Sequence, residues 1–162
     1  MFSVKDVVRY GTSGVCEITE IVSRPFNGQV VDYFVLRPVH DGRSTLFVPS
    51  NNEGLVAKMV SVLSQEAVKT LISEASDIED MWITDEIERR RVYKEALNNG
   101  DHMVIIGIIK ALHEREQLVR SKGKKLRLDD ERTLRDTERQ LYDEFGYVLE
   151  IKPDKIRDLI LK

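Results

Sequence analysis

The placement of proline and glycine constrains this chain most. Gly11, Gly14, Gly28, Gly42 and Gly54, with Pro25, Pro38 and Pro49, all fall in the first third, and no further proline occurs until Pro153. Tight turns use residues that adopt positive φ or a fixed φ, whereas long helices exclude proline from their interiors. The pattern therefore predicts a turn-rich β unit over residues 1–53 followed by a helical unit over 54–162.

In the first unit, runs rich in Val, Ile, Tyr and Phe at 4–10, 15–23, 30–37 and 44–49 alternate with turn signals. Gly11-Thr12-Ser13-Gly14, Asn27-Gly28 and His40-Asp41-Gly42 supply the turns, so four or five strands fit. Sequential hairpins this short predict a small antiparallel SH3-like or Tudor-like barrel. Such a barrel closes imperfectly and leaves at least one edge strand able to pair.

The second unit reads as a compact helical bundle. Helices are expected over 61–73 and from about Thr84 as N-cap to Asn99, with Gly100 at the exit. Asp101 caps a third, whose Ile105, Ile108, Ile109 and Leu112 recur at i, i+3, i+4 and i+7, and Gly123 ends its basic tail. Asp129, Asp130 and Glu131 open a fourth, with Leu134, Leu141, Tyr142 and Phe145 inward and Gly146 as its stop; Pro153 starts a short last helix.

Catalytic constellations are missing from the sequence. There is no phosphate-cradling glycine motif, no nucleophile with an evident base and no histidine pair at metal spacing, so no catalytic, cofactor or metal residue and no small-molecule substrate is expected. His102 and His113 lie eleven residues apart on one helix, a span of roughly 16 Å; both are expected to be solvated or capping. Carboxylates are expected on solvated helix faces. Cys16, the single cysteine, reads as a small buried hydrophobe. No stretch is apolar for long enough to span a membrane, and the first residues lack a signal pattern, so a soluble cytoplasmic protein without membrane contact is expected.

Net charge is −3, unlike a protein that grips nucleic acid unaided. Any DNA contact must then be local, and two basic stretches offer it: Arg89-Arg90-Arg91 with Lys94, and Arg120, Lys122, Lys124, Lys125 and Arg127 around Gly123. Ordinary exposed helices also carry such charges, offset by partners such as Glu86 with Arg90. Trp82, the only tryptophan, either packs the first helix on the second or serves as an aromatic wedge beside the arginines.

The opening Phe2-Ser3-Val4-Lys5-Asp6-Val7-Val8-Arg9-Tyr10-Gly11, then Tyr33-Phe34-Val35-Leu36, Thr45-Leu46-Phe47-Val48-Pro49, Tyr93-Lys94 and Gly100-Asp101 together resemble the CarD family. The resemblance implies a Tudor-like module that adds its edge strand to the β subunit of bacterial RNA polymerase, and a helical domain on promoter DNA. Carried over by position, Ser44, Thr45, Leu46, Phe47 and Val48 form that strand, and Arg24 and Phe26 contact polymerase. Phe47 stands where some members carry arginine. Arg91 and Lys94 become phosphate contacts, beside Arg90, Lys122, Lys124 and Lys125. Arg89 falls where certain members have a wedge tryptophan, and Trp82 lies seven residues earlier, two turns away if the helix reaches that far. The implied role is a non-enzymatic transcription regulator that stabilises the open promoter complex and joins the nucleoid through polymerase. The competing reading is an interaction adaptor with a peptide-binding barrel and no DNA role.

Overall fold

A computed structural model describes all 162 residues, which divide into two units, Met1–Leu63 and Ser64–Lys162. The first holds strands β1 (Val7–Tyr10), β2 (Val15–Phe26), β3 (Gln29–Pro38), β4 (Leu46–Pro49) and β5 (Met59–Ser61), with a one-turn helix α1 (Glu53–Val56) before β5. The strands form a single antiparallel sheet in the order β4-β3-β2-β1-β5. β4 and β5 are its two borders and do not pair with each other.

Local chemistry accounts for the turns. Asn27 and Gly28 both take positive φ, 50° and 78°, the conformation whose twist matches a two-residue hairpin. In the 39–45 connection the work is done by Asp41, whose carboxylate accepts from the Arg43 amide and the Ser44 hydroxyl. Ser44 is thereby held in the turn, and β4 begins at Leu46, two residues after the expected start.

The sheet buries Val8, Cys16, Ile18, Phe34, Leu36, Val48 and Met59. Burial pushes the Cys16 thiol up to about 11, so it stays protonated and packs as an apolar group. Leu55 and Val56 on α1 lean on this core, and β5 pairs with β1 through Tyr10↔Met59. Both elements belong to the β unit, which therefore runs to Leu63 instead of stopping at residue 53. The sequence signal at 59–61 is too short to separate from a helix start; the following helix begins later, capped by Ser64.

A register shift between Ile18 and Glu20 places Thr19 as an extra residue in β2. A bulge of this kind reverses the facing of all that follows. Ile18 and Ile21, three apart, share the core face opposite Leu36 and Phe34, while Glu20, Val22, Arg24 and Phe26 take the other face.

The second unit contains α2 (Gln65–Glu74), α3 (Glu86–Asn99), α4 (His102–Ser121), α5 (Leu128–Leu149) and α6 (Pro153–Ile160). Asp101 accepts from the Met103 and Val104 amides to start α4, and Gly100 closes α3 at φ 69°. The cap of α3 is Asp85, one residue after the expected Thr84, with its carboxylate on the Glu88 amide. Ile105, Ile108, Ile109 and Leu112 of α4 and Leu134, Leu141, Tyr142 and Phe145 of α5 are all buried, and α5 packs in turn against α6.

Gly146 is not a helix stop. It lies inside α5, which ends at Leu149 with Glu150 as its C-cap at φ 58°. A Cβ on Gly146 would stand 2.7 Å from the Ile151 carbonyl oxygen, so glycine is required where the chain doubles back towards α6. Gly146→Ala is expected to lower unfolding stability by about 1–3 kcal/mol in urea titration. Gly42→Ala, with nothing near the added methyl, should stay within about 0.5 kcal/mol.

Candidate functional site

The β4 border can be resolved to single backbone groups. The Ser50 amide donates to the Asp32 carbonyl at 2.8 Å, which makes 32 and 50 a hydrogen-bonded pair. In an antiparallel ladder such pairs alternate, so Phe34↔Val48 and Leu36↔Leu46 bond across to β3 as well. The C=O of Thr45 and the N–H and C=O of Phe47 therefore turn outward, and Pro49 closes the run by having no N–H to offer. Val48 is buried and Leu46 half-buried in the core, so their side chains are spoken for. What this border presents is backbone plus one ring.

That ring is Phe47, 46% exposed. The Arg24 guanidinium lies 4.9 Å from its centroid, close enough for a cation–π contact. Phe26, 59% exposed, follows on the same face of β2. The bulge at Thr19 is what brings Arg24 and Phe26 onto the face of Phe47, so three candidate docking side chains meet beside the open border.

In the helical unit the basic candidates separate into two kinds. Arg89 is buried, 4% exposed, with Nε and Nη2 donating to the two Asp130 carboxylate oxygens at 3.0 and 2.9 Å and Nη1 to the Ile83 carbonyl at 2.9 Å. A guanidinium so enclosed cannot face a phosphate; the expectation that Arg89 contacts DNA is corrected. Of the two alternatives for Trp82, the structure displays the packing one. Trp82 precedes α3 instead of extending it, half-buried, with the guanidiniums of Arg89 and Arg115 at 4.5 and 5.2 Å from its ring. Its segment is strapped down by the Tyr93 hydroxyl donating to the Met81 carbonyl, by the Met81 amide donating to the Gly107 carbonyl at 3.0 Å, and by Lys110, whose ammonium donates to the Ala75 and Ile78 carbonyls. Trp82 is a packing residue here.

Arg90, Arg91 and Lys94 are exposed on α3. Arg90 pairs with Asp129 at 2.6 Å and Glu86 at 3.5 Å. Arg91 pairs with Glu88 at 2.5 Å and Glu95 at 3.4 Å, and the hydrogen bond from Arg91 holds the Glu88 carboxyl below its ordinary range. Lys94 carries no ion pair. Lys122, Lys124 and Lys125 are exposed in the α4–α5 loop; Lys124 and Lys125 line a recess of about 490 Å³ together with Arg120, Glu116 and Glu131. Arg127 reaches Glu86 at 2.7 Å, so the loop's end and the start of α3 sit side by side. The two basic stretches, apart in sequence, are brought to one end of the unit.

Two expectations about polar residues fail. His102 is neither solvated nor a cap: its Nε2 lies 2.8 Å from Oε1 of Glu144 and its ring stacks on Phe145. Glu144, 1% exposed, and Asp130 are buried carboxylates, not members of solvated faces. Asp130 is the residue that sequence reasoning missed outright, because an acid in a helix's first turn already has a sufficient explanation in the dipole. No group of three or more His, Cys, Asp or Glu is arranged to hold a metal ion. No helix is long and apolar enough to cross a membrane.

A small antiparallel sheet with an open border and exposed aromatic and basic side chains beside it has the form of a protein-interaction module. Residues 2–60 match the family model of the CarD-like/TRCF RID domain. The β unit is thus similar to the CarD-like/TRCF RID domain, a match that supports an RNA polymerase-interacting, transcription-related role. The match runs through α1 into β5, in keeping with a domain longer than 53 residues. A search of curated proteins finds no match to the chain.

Asp130→Ala would leave the Arg89 guanidinium buried without its counter-ion and is expected to cost about 3–5 kcal/mol, read as a lower urea midpoint. Glu88→Ala removes only an exposed partner and should leave the urea midpoint essentially unchanged.

Proposed function

We propose that the β unit docks on the β subunit of bacterial RNA polymerase by adding a polymerase strand to β4, and that the helical unit then contacts promoter DNA at the upstream edge of the melted region and stabilises the open complex. The observation that carries this reading is the outward-facing backbone of Thr45 and Phe47, flanked by Arg24, Phe26 and the Phe47 ring, within a domain of a polymerase-interacting family. Strand addition takes its affinity from main-chain hydrogen bonds and its specificity from adjacent side chains. Ser44 and Leu46 act through the backbone path that positions this border, and Val48 anchors it to the core.

On the DNA side the proposed contacts are Arg90, Arg91, Lys94, Lys122, Lys124 and Lys125. With net charge −3 they bind weakly on their own. Docking through the β unit raises their effective concentration at the promoter to about the millimolar range, where weak contacts suffice. The complex shifts towards the melted state only because the protein binds that state better than the closed one. Residence in the cytoplasm, associated with the nucleoid through polymerase, follows from these partners. A second reading, an adaptor whose helical unit never meets DNA, draws on the carboxylate partners already held by Arg90 and Arg91.

Two experiments test the halves separately. Phe47→Ala removes the ring, whereas Phe47→Pro removes the ring and the outward N–H; proline is tolerated where a border amide faces solvent. Affinity for polymerase, measured by titration, should fall about tenfold further for the proline variant than for the alanine variant; equal losses would reject strand addition. Lys94→Glu should shorten open-complex lifetime at a responsive promoter by roughly three- to tenfold and flatten its salt dependence, with polymerase affinity unchanged. Unaltered lifetimes would leave the adaptor reading.

A further inference from the structure

β2 and β3 outrun their neighbours. The segment before β1 last reaches β2 at Ile18, through its bonds with Lys5 and Asp6, and the chain after β4 last reaches β3 at Asp32, through Ser50. Beyond the Ser23↔Asp32 pair residues 24–31 form a two-stranded ribbon with no strand on either side, paired Arg24↔Val31, Pro25↔Val30 and Phe26↔Gln29, and Ile21 lies at its base opposite Phe34. A lone two-stranded ribbon is marginally stable in water. Here it also carries apolar side chains on both faces. Arg24 and Phe26 lie on the face shared with Phe47, but Ile21, Pro25 and Val30 lie on the opposite one, which continues the core face of Phe34. Ile21 is 43% exposed, Val30 is 73% exposed and Pro25 is exposed. Between them the Ser23 hydroxyl donates to Oδ1 of Asp32, leaving the other carboxylate oxygen free to accept.

We infer that the Ile21–Pro25–Val30 face is a second docking surface for RNA polymerase, so that the enzyme grips the ribbon from both sides instead of touching the β4 border alone. The ligand it fits is an apolar segment of polymerase carrying one basic side chain to meet Asp32. The occupant is set by continuity: Pro25 and Phe26 are successive residues on the two faces of one ribbon tip, so a partner that covers Phe26 and Phe47 adjoins Pro25 and Val30. The inference rests on the proposed docking of the β unit to polymerase, but not on strand addition to β4.

The test uses the full chain and purified core polymerase. Val30→Glu and Ile21→Glu are each expected to weaken binding about tenfold, and Val30→Ser by less, with unchanged thermal midpoints. If Phe47→Pro weakens binding while both glutamate variants bind as the parent does within twofold, border docking stands and the second surface is overturned. If the glutamate variants weaken binding and Phe47→Pro matches Phe47→Ala, strand addition falls and the second surface stands. Light scattering distinguishes the other occupant: a parent dimer converted to monomer by Val30→Glu, with polymerase affinity unaltered, would assign the face to a second copy of the chain and overturn the proposal.

Discussion

A five-stranded sheet that does not close must leave two rows of backbone groups without partners inside the chain, and much about this β unit follows from where those rows fall. An amide in a ladder exchanges water for a carbonyl at little net gain, but one held rigid at a border remains ready to make the same exchange with another chain. At β4 the ladder alternation leaves the groups of Thr45 and Phe47 outward, and Pro49 ends the row. The neighbouring side chains are arranged by a second backbone feature, the extra residue at Thr19. Without it Arg24 and Phe26 would lie on the core face, and Ile21 would point away from Phe34. One inserted residue thus determines which side chains stand beside the open border.

The helical unit is organised by a different constraint, the need to satisfy charge that burial has removed from water. Arg89 and Asp130 are both inside, and their bidentate bond joins α3 to the first turn of α5. Desolvating two ions is tolerable only when nearly every donor is used, and here the carbonyl of Ile83, six residues earlier, and the Trp82 ring complete the enclosure. The same arrangement divides the arginine run by function. Arg89 is consumed by the fold, while Arg90 and Arg91, one and two residues on, emerge on the surface. Three identical side chains in a row therefore have different roles, decided by helical phase alone.

That division marks the boundary of what could be read from the sequence. Features set by residues within a turn of one another were legible: the Asn27-Gly28 hairpin, the Asp101 cap, the Gly100 exit and the isoleucine stripe of α4. Their causes lie in local sterics and hydrogen bonding, and no distant partner can alter them. The failures share the opposite property. Glu144 and Asp130 looked like members of solvated faces because their partners, His102 and Arg89, are more than forty residues away in the chain. Gly146 looked like a stop because its real reason is the carbonyl of Ile151 folding back over it. β5 was missed because three residues carry too little periodicity to distinguish a strand. In the candidate site, the strand and its flanking Arg24 and Phe26 were placed by resemblance, yet which backbone groups face outward required the register.

The ion pairs on the exposed side of α3 bear on how a chain with net negative charge could act on DNA. Arg90 and Arg91 each already hold carboxylates, so meeting a phosphate means trading one anion for another, with a gain reduced by the small worth of an exposed ion pair. In the proposed role this is an advantage. A helical unit with freely available cations would bind any duplex, and its affinity would favour closed and open promoters alike, which shifts no equilibrium. Under that proposal, arginines that release their internal partners against a well-placed phosphate would discriminate by geometry, and tethering through the β unit would supply the affinity they lack. Selectivity for the melted promoter and dependence on polymerase would then have one origin, the carboxylates of Glu86, Glu88, Glu95 and Asp129 that hold those two side chains in the absence of DNA.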